Sequence, residues 1–487
     1  MKVLCYTRKE LDDKLYGVKM ARSMHLAIEN EEGEFLPLHH NEGILYASAT
    51  QNPDGTLNAK TLCEPRIFAK EDGTFEIYAI RLGDKGEGEE EQYILKYESA
   101  DLIHYKECES MPFTDELYSE IFEDTGVFVD EAMTDIEGVV PGNIVEVSKK
   151  TADYLKAKLI SPSYKEAFAD EKAGTPHFDF PFLSDRADPC VKMWKGKYYF
   201  ISTNDADGNN SIYIRESDTL SGLKDAEDIK ILDTSMHEGI GGLLWAPEFH
   251  EINGRLYIFH AATKKEFYCE ESRVMKLRKG GDITKSADWS APHLVVKKDG
   301  SPLCEEGKVI SLDMTTFVYD EKRYVMWSQR QFLPLDQGAW LYIAEIDENE
   351  PWKLVSDPVC IAKPVFSWEN NHTFVVEGPF ALYAKDKLMI TYSAAATDTT
   401  YALGLLQIEK GKDILDPANW VKNNYPLMTS LSKEGEYGPG HNSFLTDEEG
   451  VLWIVYHARD GIEGPRSTGL RRVAFDVDGE PLLDITE

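Results

Sequence analysis

The chain has 487 residues, enough to bury a large core in two or three domains, and 11% of them are aromatic, with 24 Tyr and 9 Trp. A formal net charge of −34 argues against nucleic acid and anionic membrane as partners, because both would repel it. The N-terminal stretch MKVLCYTRKELDDKLYGVKM carries charges throughout, and no uninterrupted apolar run is long enough to span a bilayer.

The seven cysteines (5, 63, 108, 190, 269, 304 and 360) are odd in number and contain no CxxC pair. They suit reduced thiols better than a disulfide framework or a zinc site. With no export signal recognised, the expected location is cytoplasmic.

Upstream of Thr175 the pattern reads as strand pairs at Ser23–Leu38, Glu64–Ile80, Gln92–Tyr105 and Gly142–Ile160, with an acidic loop GDKGEGEEEQ at Gly83–Gln92. A β-rich accessory domain over residues 1–172 is expected, ending in AFADEKAGTPHFDFP (Ala167–Pro181), where Gly-Thr-Pro interrupts the pattern. Its segment CEPRIFAKEDGTFEIYAI echoes a phrase found downstream, which suggests blade-like pieces; a sixth blade in the downstream ring is the less favoured alternative. The region could cap a site or mediate oligomerisation.

From residue 173 to 487 one phrase returns five times: a polar residue at a strand mouth, an apolar strand, a short polar turn, then a Tyr/Trp-rich strand. Asp188 opens DPCVKMWKGKYYFISTND and Glu248 lies in WAPEFHEINGRLYIFHAA. Asp313 opens DMTTFVYDEKRYVMWSQR, Glu377 lies in VEGPFALYAKDKLMITYSAA and His441 opens HNSFLTDEEGVLWIVYHAR. The steps between them are 60, 65, 64 and 64 residues. Each unit has room for about four short strands, the size of one propeller blade. The expected fold is therefore all-β: a five-bladed β-propeller catalytic domain whose first strands line a central channel, bringing the five polar residues to one end. Glu377, between Val376 and the Gly378–Pro379 break, has the apolar neighbours that raise a carboxyl pKa, as a general acid needs.

At these residues the sequence resembles glycoside hydrolase family 43, over roughly residues 175 to 480. The marks are RADPC (186–190), LLWAPEFH (243–250), SLDMTTF (311–317), VVEGPF (375–380) and YGPGHNSF (437–444). The exo-acting α-L-arabinofuranosidase branch is most similar, through WAPEFH, YALGLL and DPANW; Met314 departs from the Gly that this branch places after the third-blade Asp.

The resemblance implies that Asp188 is the general base that activates water, Glu377 the general acid, and Asp313 the residue that tunes the acid and holds sugar hydroxyls. Inverting hydrolysis needs two carboxylates about 6.5–9.5 Å apart. The resemblance further implies that Glu248 supports the sugar pocket and that His441 reaches a hydrated ion, often calcium, on the channel axis. Trp245 and Trp327 are candidates to wall the sugar, and Arg471, in RSTGLRRVAF, to clamp a hydroxyl or carboxylate.

The function so implied is an inverting exo-glycosidase removing terminal α-L-arabinofuranose from arabinan or arabinoxylan oligosaccharides. The near alternative is β-xylosidase activity of the same family. Propeller hydrolases acting on fructans are disfavoured because the acid phrase here is VEGPF. A non-catalytic sugar- or protein-binding propeller has no need of three carboxylates at one channel mouth.

Overall fold

The computed structural model describes residues 1–83, 92–123, 134–169 and 176–485. The acidic loop, apart from its ends, and Gly174 and Thr175 of the expected boundary lie outside the described residues, as does the division between 172 and 173. The protein is mostly β. From Ala187 to Arg472 the chain lays down five antiparallel sheets in succession, each from consecutive strands. Their first strands are Ala187–Trp194, Gly242–Ile252, Val309–Tyr319, Val376–Tyr383 and Tyr437–Thr446. Each of these packs against the first strand of the next sheet, and Tyr437–Thr446 packs back against Ala187–Trp194. Residues 182 and 183 pair with Thr468 on the edge of the fifth sheet, so chain from before the first sheet completes the last.

All five first strands share one irregularity that positions the site. Near its start each gains an extra residue against its partner, a β-bulge, and the first bulged residue has left-handed backbone. These residues are Asp188 (φ 49°), Ala246 (φ 45°), Asp313 (φ 54°), Gly378 (φ 55°) and His441 (φ 42°). Only the glycine adopts such φ without steric cost; the four others are held there by the pairing on either side. The five-fold alignment read from sequence is thereby corrected. Asp188, Asp313 and His441 do occupy one structural position, but Glu377 precedes it by one residue and Glu248 follows it by two.

The N-terminal region bulges in both of its four-stranded sheets, with left-handed backbone in one of them. One sheet joins Val139–Glu146, Lys2–Arg8, His25–Glu29 and Phe35–Pro37; a second joins Lys60–Ala69, Phe75–Gly83, Tyr93–Ser99 and Lys106–Pro112. Both contain the bulge, at Glu64 (φ 49°) and opposite the Leu4–Tyr6 step. The strand pair expected over 142–160 is a strand followed by a helix, Lys149–Leu159. Ser148 caps it by accepting from the Thr151 amide, and Ala152, Leu155 and Leu159 recur at helical spacing on its buried face.

This region docks intimately on the five sheets. One hydrophobic core joins Leu26, Leu45, Tyr46 and Leu155 to Trp368, Ile390, Tyr392 and Tyr425. At the helix C-terminus the buried Lys158 ammonium lies 2.6 Å from Asp476 and 2.6 Å from Glu480, tying the helix to the chain's last hairpin. Among the described residues no helix is long and apolar enough to cross a membrane.

Candidate active site

The bulges bring Asp188, Asp313, Glu377 and His441 to the wall of one pocket of about 210 Å³. Trp245, Phe267, Arg330, Thr397 and Arg466 complete much of its lining. That volume is below the roughly 300–1,000 Å³ of a drug-sized ligand site and suits one small ring. A larger cavity of about 570 Å³ opens where the same five strands end, lined by Lys192, His250, Thr316, Phe380 and Phe444 among others. Among its described lining residues Glu251 is the one acid, so that lining offers no carboxylate pair.

Asp188 is buried against three nitrogen-bearing side chains. Its Oδ1 accepts from Arg466 Nη1 at 3.0 Å and lies 3.1 Å from His457 Nδ1 and 3.3 Å from His441 Nδ1. Burial alone would raise its pKa, but Arg466, His441 and His457 outweigh burial and hold the carboxyl well below the usual range. It is therefore an ionised acceptor at any physiological pH. The guanidinium that does this is itself fixed, because Arg466 also forks onto both oxygens of Asp205 at 2.9 Å.

Glu377 has the opposite environment. Burial, with the nearby negative charge of Asp188, raises its pKa to about 7, against the opposing hydrogen bond that Tyr401 donates to Oε1 at 2.7 Å. Asp313 is pushed well above the usual range by burial and by the charges of Glu377 and Asp188, though the Gly378 amide donates to its Oδ2 at 3.1 Å. One small pocket thus holds a carboxylate kept charged and a pair, Glu377 and Asp313, that retains a proton near neutral pH.

The imidazole of His441 stands between the two sides. Its amide donates to Ser393 Oγ at 2.6 Å, and its ring lies so close to Gly378 that a Cβ there would come within 3.2 Å of Cγ. His441 thus touches Asp188 and packs against the backbone of Gly378, the residue after Glu377. The Tyr401 ring, stacked on His457 at 5.5 Å and 5°, links the two sides from behind: its hydroxyl holds Glu377 while His457 touches Asp188.

Three residues singled out in the sequence lie elsewhere. Trp327 is fully buried in the third sheet, stacked on Tyr342 at 6.0 Å, because it sits mid-strand rather than at the pocket end. Arg471 pairs with Glu436 and lies over the Tyr456 ring, outside the pocket lining. Glu248, displaced by two residues from the bulge position, hydrogen-bonds with His250 Nε2 at 2.6 Å and likewise does not line the pocket. Trp245 does line it. Sequence reasoning missed Arg466, Arg330, Phe267 and Tyr401. Arg330 was accessible in principle: it pairs with Ile310 across the strand, at the mouth end of the third sheet.

Among the described residues no group of three or more His, Cys, Asp or Glu side chains is disposed to hold a metal. Yet His441 Nε2 and both amide atoms of Asn442 are buried without a protein partner. An imidazole nitrogen and an amide oxygen, with no carboxylate cage, fit a hydrated cation contacted largely through water.

The family model for glycosyl hydrolases family 43 matches residues 178–481, well over half of the chain. The chain belongs to glycosyl hydrolase family 43. An extracellular exo-alpha-(1->5)-L-arabinofuranosidase of Streptomyces avermitilis is 34% identical over 319 residues, covering 63% of each chain. A protein of the same name from Streptomyces chartreusis is 32% identical over 284 residues, 58% of this chain and 82% of that one. The chain thus spans less than two thirds of the S. avermitilis relative's length. Among solved structures, an alpha-L-arabinofuranosidase from Lactobacillus brevis superposes with a TM-score of 0.56 at 31% identity, over 63% of this chain and 96% of that one.

Both Streptomyces relatives of this family 43 chain are named extracellular, which overturns the cytoplasmic expectation. All seven cysteines are free, but a protein with cores this large has no need of disulfides in any compartment.

Proposed function

We propose that the chain is an inverting exo-acting α-L-arabinofuranosidase that removes terminal arabinofuranosyl residues from arabinan or arabinoxylan oligosaccharides. The observation that carries this reading is the opposite tuning of Asp188 and Glu377 within one pocket small enough for a single sugar. The relatives' names favour arabinofuranose over the β-xylosidase alternative. A purely sugar-binding module would have no use for a buried carboxyl whose pKa is raised to about 7.

In this mechanism ionised Asp188 accepts a proton from water as it attacks the anomeric carbon. Protonated Glu377 gives its proton to the departing glycosidic oxygen. Burial and the charge of Asp188 keep the Glu377 proton in place, while Asp313, itself held toward its protonated form, shares the acid's surroundings and hydrogen-bonds sugar hydroxyls.

The scaffold of this reading is a five-bladed propeller over residues 173–487, one blade per sheet, with residues 1–172 as an accessory domain. A hydrated calcium ion beside His441 Nε2 and Asn442 would hold the imidazole's orientation and leave the proton transfers to the carboxyls. A panel of arabinofuranosides, xylosides, galactosides and fructose-releasing substrates tests the activity. Release of free arabinose from debranched arabinan with little early loss of viscosity is expected. Rapid viscosity loss with mid-length products would sink exo attack.

A further inference from the structure

The rim of the pocket is not uniform, and its asymmetry bears on where the rest of the substrate lies. Along the fourth and fifth sheets the rim loops are gripped by the N-terminal region. The Lys14 carbonyl accepts from Thr399 Oγ1, two residues beyond the pocket-lining Thr397, and the Lys14 ammonium pairs with Glu463, three residues before Arg466. Lys19 Nζ donates to the Asn370 carbonyl at 2.7 Å, and Asp13 lies 3.6 Å from His372. The family match begins at residue 178, so the N-terminal partner in each of these contacts comes from chain outside it.

The opposite rim, on the second and third sheets, is aromatic and open. Phe267 lines the pocket, meeting Trp245 edge-on at 6.0 Å, and is still 37% exposed. Tyr268, 48% exposed, meets Phe267 at 5.5 Å and Phe332 at 5.0 Å; Phe267 and Phe332 are 5.4 Å apart. The Arg330 guanidinium lies 4.8 Å above the Phe332 ring and pairs with Asp336 at 2.6 Å, placing polar groups beside the rings. Two exposed rings and the half-buried Phe332, clustered at the edge of a polar pocket, mark a binding surface rather than a core. Sugars present apolar C–H faces that pack on such rings and hydroxyl edges that pair with groups like Arg330 and Asp336.

We infer that Phe267, Tyr268 and Phe332 form the subsite for the sugar residue on the leaving-group side of the scissile bond. The substrate chain then exits over the second sheet and the Phe332 end of the third-sheet rim, clear of Gln337, where that rim meets the Asp54 carbonyl of the N-terminal region. This rests on the glycosidase reading above. It assigns the aromatic surface to one occupant, the sugar next to the terminal residue, because Phe267 is shared by the pocket and the surface.

The test uses the full chain and two substrates that place the same sugar in the pocket: methyl α-L-arabinofuranoside and α-1,5-linked arabinobiose. For Tyr268→Ala and Phe332→Ala, the ratio of kcat/KM for the disaccharide to that for the methyl glycoside should fall about five- to tenfold. Tyr268→Phe should restore that ratio. Equal losses on the two substrates, or an unchanged ratio, would overturn the assignment. If wild type cleaves neither arabinofuranoside, the activity reading fails separately. The same ratio is then read on methyl β-xyloside and xylobiose, where an unchanged value again overturns the subsite.

Discussion

Removing one hydroxyl should move the upper pH limit of activity in a direction fixed by the geometry. Tyr401 is 1% exposed and donates to Glu377 Oε1 at 2.7 Å. That bond favours the ionised carboxylate and so lowers the pKa of a group that burial has already raised to about 7. A hydrogen bond to a charged group contributes about 1.5–3 kcal/mol, and one pKa unit corresponds to about 1.4 kcal/mol. In Tyr401→Phe the alkaline limb of kcat/KM should therefore move up by about one to two units, because the acid stays protonated to higher pH. The phenylalanine ring keeps the stack on His457, so Asp188 keeps its surroundings and the acidic limb should stay in place. The assay is a pH profile of kcat/KM on an oligosaccharide that needs leaving-group protonation. An alkaline limb that stays put, or moves down, would refute Glu377 as the acid governing it.

Neutralising Asp188 and Glu377 should produce different signatures. Glu377→Gln should cost natural oligosaccharides about 10²–10⁴-fold but leave nitrophenyl glycosides much of their rate, whereas Asp188→Asn should reduce both together. Equal losses on both substrate classes for Glu377→Gln would remove it as the acid. Lys158→Met leaves the buried Asp476 and Glu480 without their shared cation and should destabilise the protein by about 3–5 kcal/mol. A urea midpoint like that of wild type would show that this triad does not dock the helix. Chelation should lower activity partly or not at all while circular dichroism is unchanged; calcium-reversible unfolding would make the ion structural instead.

Much of this architecture is readable in the sequence because each unit begins with a polar residue followed by an uninterrupted apolar strand. The pattern is strong enough to find Asp188, Asp313 and His441 at one position. It fails by one and two residues at Glu377 and Glu248, because a bulge adds a residue without disturbing the apolar run that follows. Arg466 and Arg471 differ by five along one strand, Arg466–Arg472, and an odd spacing puts them on opposite faces. Arg466 at the strand's start meets Asp188, and that position, just past the GIEGP turn, was the available signal. Trp327 and Trp245 look alike as strand aromatics; only the register across the sheet separates the buried one from the one at the mouth. The helix Lys149–Leu159 hides because its lysines and Tyr154 dilute the apolar periodicity. The aromatic rim could not be foreseen at all, since Phe267 and Phe332 lie 65 residues apart and meet only through the packing of two sheets.

The central claim, that Asp188 directs water to the face opposite the bond that Glu377 protonates, is tested most directly by the anomer released first. Wild-type protein acting on an α-L-arabinofuranoside should yield β-L-arabinose, observed by proton NMR before mutarotation mixes the anomers. α-L-Arabinose as the first product would mean retention through a covalent intermediate, and would contradict the roles given to both carboxyls.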